Sequence, residues 1–491
     1  MSDPLVLDPA DNVAILTKKG IAPAGHKIAR ADIAFGQAIL KYGQIIGYAT
    51  ADITAGDHVH SHNCAFGKHD RNYRSGSGLA AAKAVLARYE APEMTFYGYH
   101  RADGRVGTRN FIALVSTVNC SATVIRRAAE ELRIEGALAD YPNVDGVVAF
   151  AHGSGCGMAD HGPGWDALQR VLTGHAGHPN VGAALFVGLG CEVMQISRMK
   201  RDLGQAARFH GLSIQENGGT RRTINAIKGR VRQLLPQVDA ERRATAGVAH
   251  LRIGLQCGGS DGFSGITANP ALGVACDMLA AQGASVVLSE TPEIFGAERL
   301  LLDRAASPDI AGKLLERLDW WQDYAARNGA SLDNNPSPGN KAGGLTTILE
   351  KSLGAVAKAG GTPLNAVLEY GQTITAAGLN FMDTPGYDPV SVTGQIAGGA
   401  QLIVFTTGRG SAFGSKPAPT IKLATNDALF SAMRDDMDLN CGDVLTGVSL
   451  TEKAGQIVDM ILAVASGQHS KSEALGLGDN EFLPWQIGAV I

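Results

Sequence analysis

Charge of one sign is scarce in this 491-residue chain. Charged residues make up 18%, the formal net charge is −4, and no long run carries a single sign. That balance argues against nucleic acid or an anionic membrane surface as a partner. Long apolar runs are missing too: none reaches the length of a membrane span, and the opening MSDPLVLDPADNVAIL lacks a basic stretch followed by an apolar one. A cytoplasmic protein is expected. No CxxC spacing occurs, and seven cysteines in so long a chain read as thiols or metal ligands rather than a disulfide frame. None of the glycine turns forms a clean GxGxxG between strand and helix with a later acid, so a dinucleotide site has little support.

What the chain has in excess is glycine, 62 residues, within a composition that is 45% hydrophobic. The length is sufficient for two or three domains with their own cores. The glycines cluster at the ends of apolar runs, where tight turns around a ligand would need them. The stretch LQCGGSDGFSGITANP (255–270) shows the pattern best: a strand-like run ends in Cys257 and opens into a turn holding Asp261. FIALVSTVNC ends at Cys120, GVVAFAHGSGC at Cys156, and AALFVGLGCE at Cys191 and Glu192. In an open parallel sheet the carboxyl-terminal strand ends share one edge, and ligands bind there.

In chain order, short β segments at 12–16, 26–28 and 45–49 predict a small all-β domain over 1–64, closing on His58, His60 and His62. Spacing by two on a strand would put these imidazoles on one face, a candidate divalent-metal site or a solvated polar strand. Residues 65–95 read as a linker with a helical piece at 79–89. From residue 96 strands and helices alternate, which implies parallel α/β sheets. The first α/β unit spans 96–245, with strands near 111–117, 146–151 and 183–189 and helices near 122–132, 165–172 and 225–235. The second spans 246–491, with strands near 250–255, 285–289, 378–382, 401–406 and 420–423. Within it NNPSPGNKAGG (334–344) is expected to be an irregular functional loop. The fold class is α/β: a small β domain joined to a two-part α/β body with mainly parallel sheets.

Cys120, Cys156, Cys191 and Cys257 could ligate iron, as one ion or as a cluster; a core role is the alternative for each. Glu192, Asp261, Glu290 and Glu293 are carboxylates at or just past strand ends, suited to a ligand or proton-transfer role. A cap or solvated loop acid is the alternative for each, and the favoured reading for Glu293. Lys341 lies in the Pro/Gly loop, and Arg409 sits between glycines in TTGRGSAFG. An arginine held there suits a carboxylate or phosphate clamp, against a solvent-pointing turn.

DNVAIL, GHKIA, KYGQIIGYAT, VHSHN, FYGYHRADGRVGTRN, GLGCE, LQCGGSDGFSGITANP, NPSPGNKAGG and FTTGRGSAFG resemble, in order, the altronate dehydratase/galactarate dehydratase family. The resemblance covers nearly the whole chain. It implies a SAF-type amino-terminal β domain and a divalent metal, with Fe2+ the first expectation and Mn2+ open; an iron–sulfur cluster, read from the cysteines alone, is a lesser alternative. It also implies removal of water from a sugar acid to give a 2-keto-3-deoxy acid. The HxH pair at His60 and His62, KAGG, and GAERLL (296–301) lean to the altronate branch. Galactarate, or elimination of another group such as sulfite, remains open, as more distantly does a non-enzymatic sugar-acid binding protein.

Dehydrating an aldonate requires loss of the C2 proton and of the C3 hydroxyl, with stabilisation of the enediolate between them. The expected assignment puts His60 and His62 on the metal with some of Cys120, Cys156, Cys191 and Cys257, and Glu192 nearby. Lys341 or Glu290 moves the proton, and Arg109, Asn110, Asp261 and Arg409 hold the substrate. A homo-oligomer, most simply a dimer, is expected.

Overall fold

A computed structural model describes residues 4–67, 73–89, 93–204, 208–488 and 490. The amino-terminal part is all β: two three-stranded antiparallel sheets, Val13–Ile15, Lys27–Ala29 and His58–Val59 in one, Ala38–Lys41, Gln44–Ala49 and Cys64–Ala65 in the other. The strand expected to carry three histidines stops at Val59. Asn63 turns the chain there: its side chain accepts from His60 N (2.9 Å) and donates to His58 O (3.0 Å). Of the expected linker, 68–72 and 90–92 lie outside the described residues. Its helix, Leu79–Ala87, follows a turn tied to the body by Gly78 N donating to Asp303 O (2.7 Å).

The first α/β unit is a four-stranded parallel sheet in the order Gly146–Phe150, Phe111–Ser116, Val181–Gly188, Phe209–Ser213. Phe111–Ser116 is buried at every position, as a central strand covered on both faces must be. The helix Asn119–Ile134 buries Ser121, Val124, Ile125, Ala128 and Leu132, the three-and-four spacing of one helical face. Thr95–His100 pairs antiparallel with Arg243–Gly247, so the chain enters and leaves this unit side by side. No periodicity in the sequence announced that pairing.

The second unit is a seven-stranded parallel sheet: Leu364–Leu368, Gly378–Met382, Ser285–Leu288, Arg252–Cys257, Leu402–Thr407, Thr420–Ala424 and Leu439–Asn440. Helices Ala268–Ala281 and Leu450–Ala465 pack together in its largest core cluster. Among the described residues no helix is long and apolar enough to cross a membrane. The segment expected to be an irregular loop contains one helical turn, Pro338–Ala342. Proline is harmless at the first helical position, and Ser337 and Asn340 form a reciprocal cap.

Candidate active site

The helix Ile348–Ala357 is buried at every position through Val356, yet it carries Glu350 and Lys351 in its first turn. Buried charges require partners, and these two face different neighbours. Glu350 accepts from Lys27 (2.8 Å) and Lys41 (2.9 Å), both in the β domain, and from Thr346 N (2.9 Å) and Oγ1 (2.8 Å). Burial alone would raise the Glu350 carboxyl, but the two ammonium groups hold it well below the usual carboxylate range. With one carboxylate between two lysines, burial pulls Lys27 down while Glu350 raises Lys41 against its burial. The cluster clamps the small domain onto the carboxyl-terminal strand ends of the seven-stranded sheet.

Inside the small domain, antiparallel pairing of Lys27–Ala29 with His58–Val59 brings three imidazoles together. His26 Nδ1 lies 3.0 Å from His58 Nε2, and ligand atoms of His26, His58 and His60 all fall within 4.8 Å of one another. Burial, helped by the neighbouring imidazoles and Lys27, lowers His58 and His60 to about 4, so both are neutral at pH 7. His60 Nδ1 is buried without a hydrogen-bond partner. Neutral imidazoles with a free nitrogen suit a ferrous or similar divalent ion. His62, expected as a ligand, is exposed and packs its ring 5.5 Å from that of His58 instead. No cysteine sulfur joins the imidazole trio within 4.8 Å among the described residues.

The short helix carrying Lys341 lies against the trio: Ala342 O is 3.2 Å from His26 Nε2, and Gly344 O accepts from Lys27. Lys341 is half-buried. Asn340 Nδ2 donates to Ser260 O (2.9 Å), joining this helix to the turn after Cys257. Gly262 is glycine of necessity, since an added Cβ would lie 1.9 Å from Gly25 O of the small domain. Arg409 N donates to Gly259 O (2.8 Å), and its exposed guanidinium has no partner among the described residues. The Lys341 helix, packed on His26, and the Arg409 turn are thus both tied to the glycine-rich turn after Cys257, and this junction is the candidate crevice.

Asp261, expected to hold substrate, is instead occupied by its own turn. Its carboxylate accepts from Ser264 N (2.9 Å) and Oγ (2.9 Å), Thr425 Oγ1 (3.0 Å) and Asn426 Nδ2 (3.0 Å). Arg109 and Asn110 depart from that expectation as well, because both are buried in domain joints. Arg109 forms a two-pronged pair with Glu473 (2.7 and 2.8 Å) and donates to Val464 O and Gln468 O. Asn110 bonds Asn143 O, Val238 O and Arg101.

Beneath the crevice is a second charged group. Cys257, Glu290 and Glu293 offer ligand atoms within 4.8 Å of one another. Lys358 Nζ reaches Cys257 Sγ (2.8 Å), while Lys351 Nζ donates to Glu293 Oε1 (2.7 Å) and Asn335 Oδ1 (2.7 Å). Two ammonium groups already supply the positive charge there, so the imidazole trio is the better cation site. Glu290 has a left-handed backbone (φ 70°), and both its carboxylate oxygens are buried without partners. Burial and then Glu293 raise its carboxyl well above the ordinary value, so Glu290 keeps its proton, whereas Lys351 overrides burial and holds Glu293 ionised. Paired carboxyls pushed apart in this way mark acid and base positions. Asp388, burial-raised to about 6, borders the group through Gln256 (2.9 Å).

Cys120, Cys156 and Cys191 are elsewhere, exposed at the carboxyl-terminal edge of the four-stranded sheet. Glu192 is buried behind them, accepting from Thr117 Oγ1 (2.8 Å) and Gly190 N (2.7 Å). Glu293, a strand-end acid read in sequence as a cap or loop residue, belongs to the charged group beneath the crevice. The sequence reading passed over His26, Lys27, Lys41, Glu350, Lys351 and Lys358. The available signal was a Glu-Lys pair inside the otherwise apolar ILEKSLGAVA, and a His-Lys pair at the start of a buried strand.

Comparison with known proteins agrees with this architecture. Residues 10–66 match an altronate/galactarate dehydratase SAF domain, 98–239 a D-galactarate dehydratase/altronate hydrolase second domain, and 248–490 a D-galactarate/altronate dehydratase carboxyl-terminal domain. The chain is 36% identical to altronate dehydratase of Escherichia coli over 94% of its own length and 91% of the relative's. It is equally similar to altronate dehydratase of Bacillus subtilis, over 91% and 89% of the two chains. It is also 36% identical to galactarate dehydratase (L-threo-forming) of E. coli, over 91% and 86%. The chain belongs to the D-galactarate/altronate dehydratase family of hydro-lyases.

Proposed function

We propose that the protein dehydrates an altronate-like aldonate to a 2-keto-3-deoxy acid, using a divalent metal at the imidazole trio. The observation that carries this is the meeting of His26, His58 and His60 against the short helix that carries Lys341. His26, His58 and His60 would hold the ion, Fe2+ in the first instance, which would supply Lewis-acid neutralisation of charge on the carboxylate. Arg409 orients that carboxylate with a planar fork of donors. Lys341 Nζ takes the C2 proton. The protonated Glu290 carboxyl is the acid reserve beneath the crevice for the departing hydroxyl. Closure of the small domain over the strand ends keeps water from the reacting carbons. We take the working unit to be a cytoplasmic homodimer, which light scattering on the purified protein would check.

Galactarate is the second reading, because identity to the galactarate enzyme equals that to the altronate enzymes. The test is anaerobic turnover of altronate and galactarate by metal-loaded protein, scored by keto-acid release and metal content. Product from altronate supports the proposal, product from galactarate alone transfers it to the second reading, and bound metal without product from either refutes both.

A further inference from the structure

We propose that Cys120, Cys156 and Cys191 hold a [4Fe–4S] cluster at the edge of the four-stranded sheet, separate from the histidine crevice. The three thiols follow three neighbouring strands, Phe111–Ser116, Gly146–Phe150 and Val181–Gly188, the first lying between the other two. Their loops are laced together by main-chain hydrogen bonds. Asn119 N donates to Ser154 O (2.9 Å), joining the Cys120 and Cys156 loops. Val193 N (3.1 Å) and Met194 N (3.3 Å) donate to Gly155 O, joining the Cys156 and Cys191 loops. Gly155 makes this closeness possible, since its φ is 97° and an added Cβ would lie 2.1 Å from Thr117 O.

All three thiols are free and exposed, whereas Cys64, Cys257, Cys276 and Cys441 are free and buried. The buried ones have a packing role; three exposed thiols on one edge have none. Two of the loops are fixed from behind by a polar group with its own bonds satisfied. His152 accepts from Ser154 N at Nδ1 (3.2 Å) and donates through Nε2 to Ser116 O (3.0 Å), bracing the Cys156 loop. Glu192 braces the Cys191 loop through Gly190 N and Thr117. Backing of this kind is what orients ligands toward a metal.

Spacing separates a cluster from a single ion. Thiolates about 2.3 Å from one zinc sit about 3.8 Å from each other. These three sulfurs do not all lie within 4.8 Å of one another. The four-iron cubane spreads its thiolates over a wider triangle, and cysteine thiolates are its ordinary ligands. The 16-residue helix Asn119–Ile134 carries Cys120 in its first turn and has no side-chain cap, and a helix amino terminus favours negative charge beside it. Three protein thiolates leave one iron open to an oxygen ligand, a hydroxyl or carboxylate of a small hydroxy acid. This inference stands on the thiol edge alone and is independent of the function proposed for the crevice.

The test uses the full chain, purified without oxygen and reconstituted with ferrous iron and sulfide. Expected are about four irons and four acid-labile sulfides per chain beyond any sulfide-free iron. A broad visible absorbance should bleach on reduction. Cys120→Ser, Cys156→Ser and Cys191→Ser should each lose the sulfide, while H58A/H60A should keep it. Alkylation followed by mass spectrometry guards against a folding defect: in loaded wild-type protein the three thiols are protected together and become reactive together after chelation. Iron without sulfide, sulfide retained by all three serine variants, or thiols that alkylate equally before and after reconstitution would each overturn the proposal.

Discussion

Both parallel sheets end strands in cysteine and glycine, and they treat the resulting thiols in opposite ways. At the seven-stranded sheet, where the small domain docks on the loops beyond the strand ends, Cys257 is buried against Lys358, Glu290 and Glu293. At the four-stranded sheet nothing among the described residues covers Cys120, Cys156 or Cys191. The same local pattern thus yields a dry, charge-balanced site in one place and an open rim of thiols in the other. Cover decides what the pattern becomes: it determines whether charges are desolvated and therefore whether they must be paired.

Four experiments would break or sharpen that contrast. The largest effect is expected from H58A/H60A, which removes two of three imidazoles. Turnover should fall by at least about two orders of magnitude with loss of sulfide-free metal. Near-normal activity with metal retained would separate the trio from the chemistry. Next, Glu350→Ala leaves Lys27 and Lys41 as uncompensated buried charges, for a loss of about 3–5 kcal/mol in urea unfolding. An unchanged midpoint would mean that this clamp does not hold the small domain in place.

The two regions should also respond oppositely to pH. His175 in the first α/β unit is lowered to about 4 by burial, against an ordinary value of about 6.5. A depressed histidine contributes stability that is present above the unfolded value and is lost as pH falls through about 6.5 toward 4, up to about 3 kcal/mol. Asp277 in the second unit is raised to about 6 by burial, so its contribution is full at low pH and is lost as pH rises from about 3.8 toward 6. His175→Gln should flatten the acid limb of thermal unfolding, and Asp277→Asn the opposing slope. Both slopes surviving these changes would locate the titration elsewhere. The smallest effect is Arg409→Lys, which keeps the charge but loses the fork. An increase in KM of about tenfold with kcat little changed is expected if it only orients the carboxylate; an equal loss in kcat would give it a transition-state role.

Much of the fold was legible because parallel strands buried on both faces are continuous apolar runs, as Phe111–Ser116 and Leu402–Thr407 are. Thr95–His100 was not, because its partner lies more than a hundred residues later and pairing at that range leaves no local period. Lys341 and Arg409 were readable as polar residues in glycine-rich segments, Glu290 as a strand-end carboxylate, and His60 from its spacing with His58 and His62. Arg109, Asn110 and Asp261 looked the same in sequence, and only their partners show that they hold the structure together.

By itself the sequence determined the class of fold, the edge on which ligands gather, and the family, since each is written in local hydrophobic runs and contiguous motifs. Tertiary structure alone decided which of those residues meet. Strand pairing within the small domain joins His26 to His58 and His60, its docking places two lysines on Glu350, and the three exposed cysteines stay at the edge of the other sheet. Desolvation and pairing depend on neighbours brought from distant parts of the chain, and no local pattern encodes them.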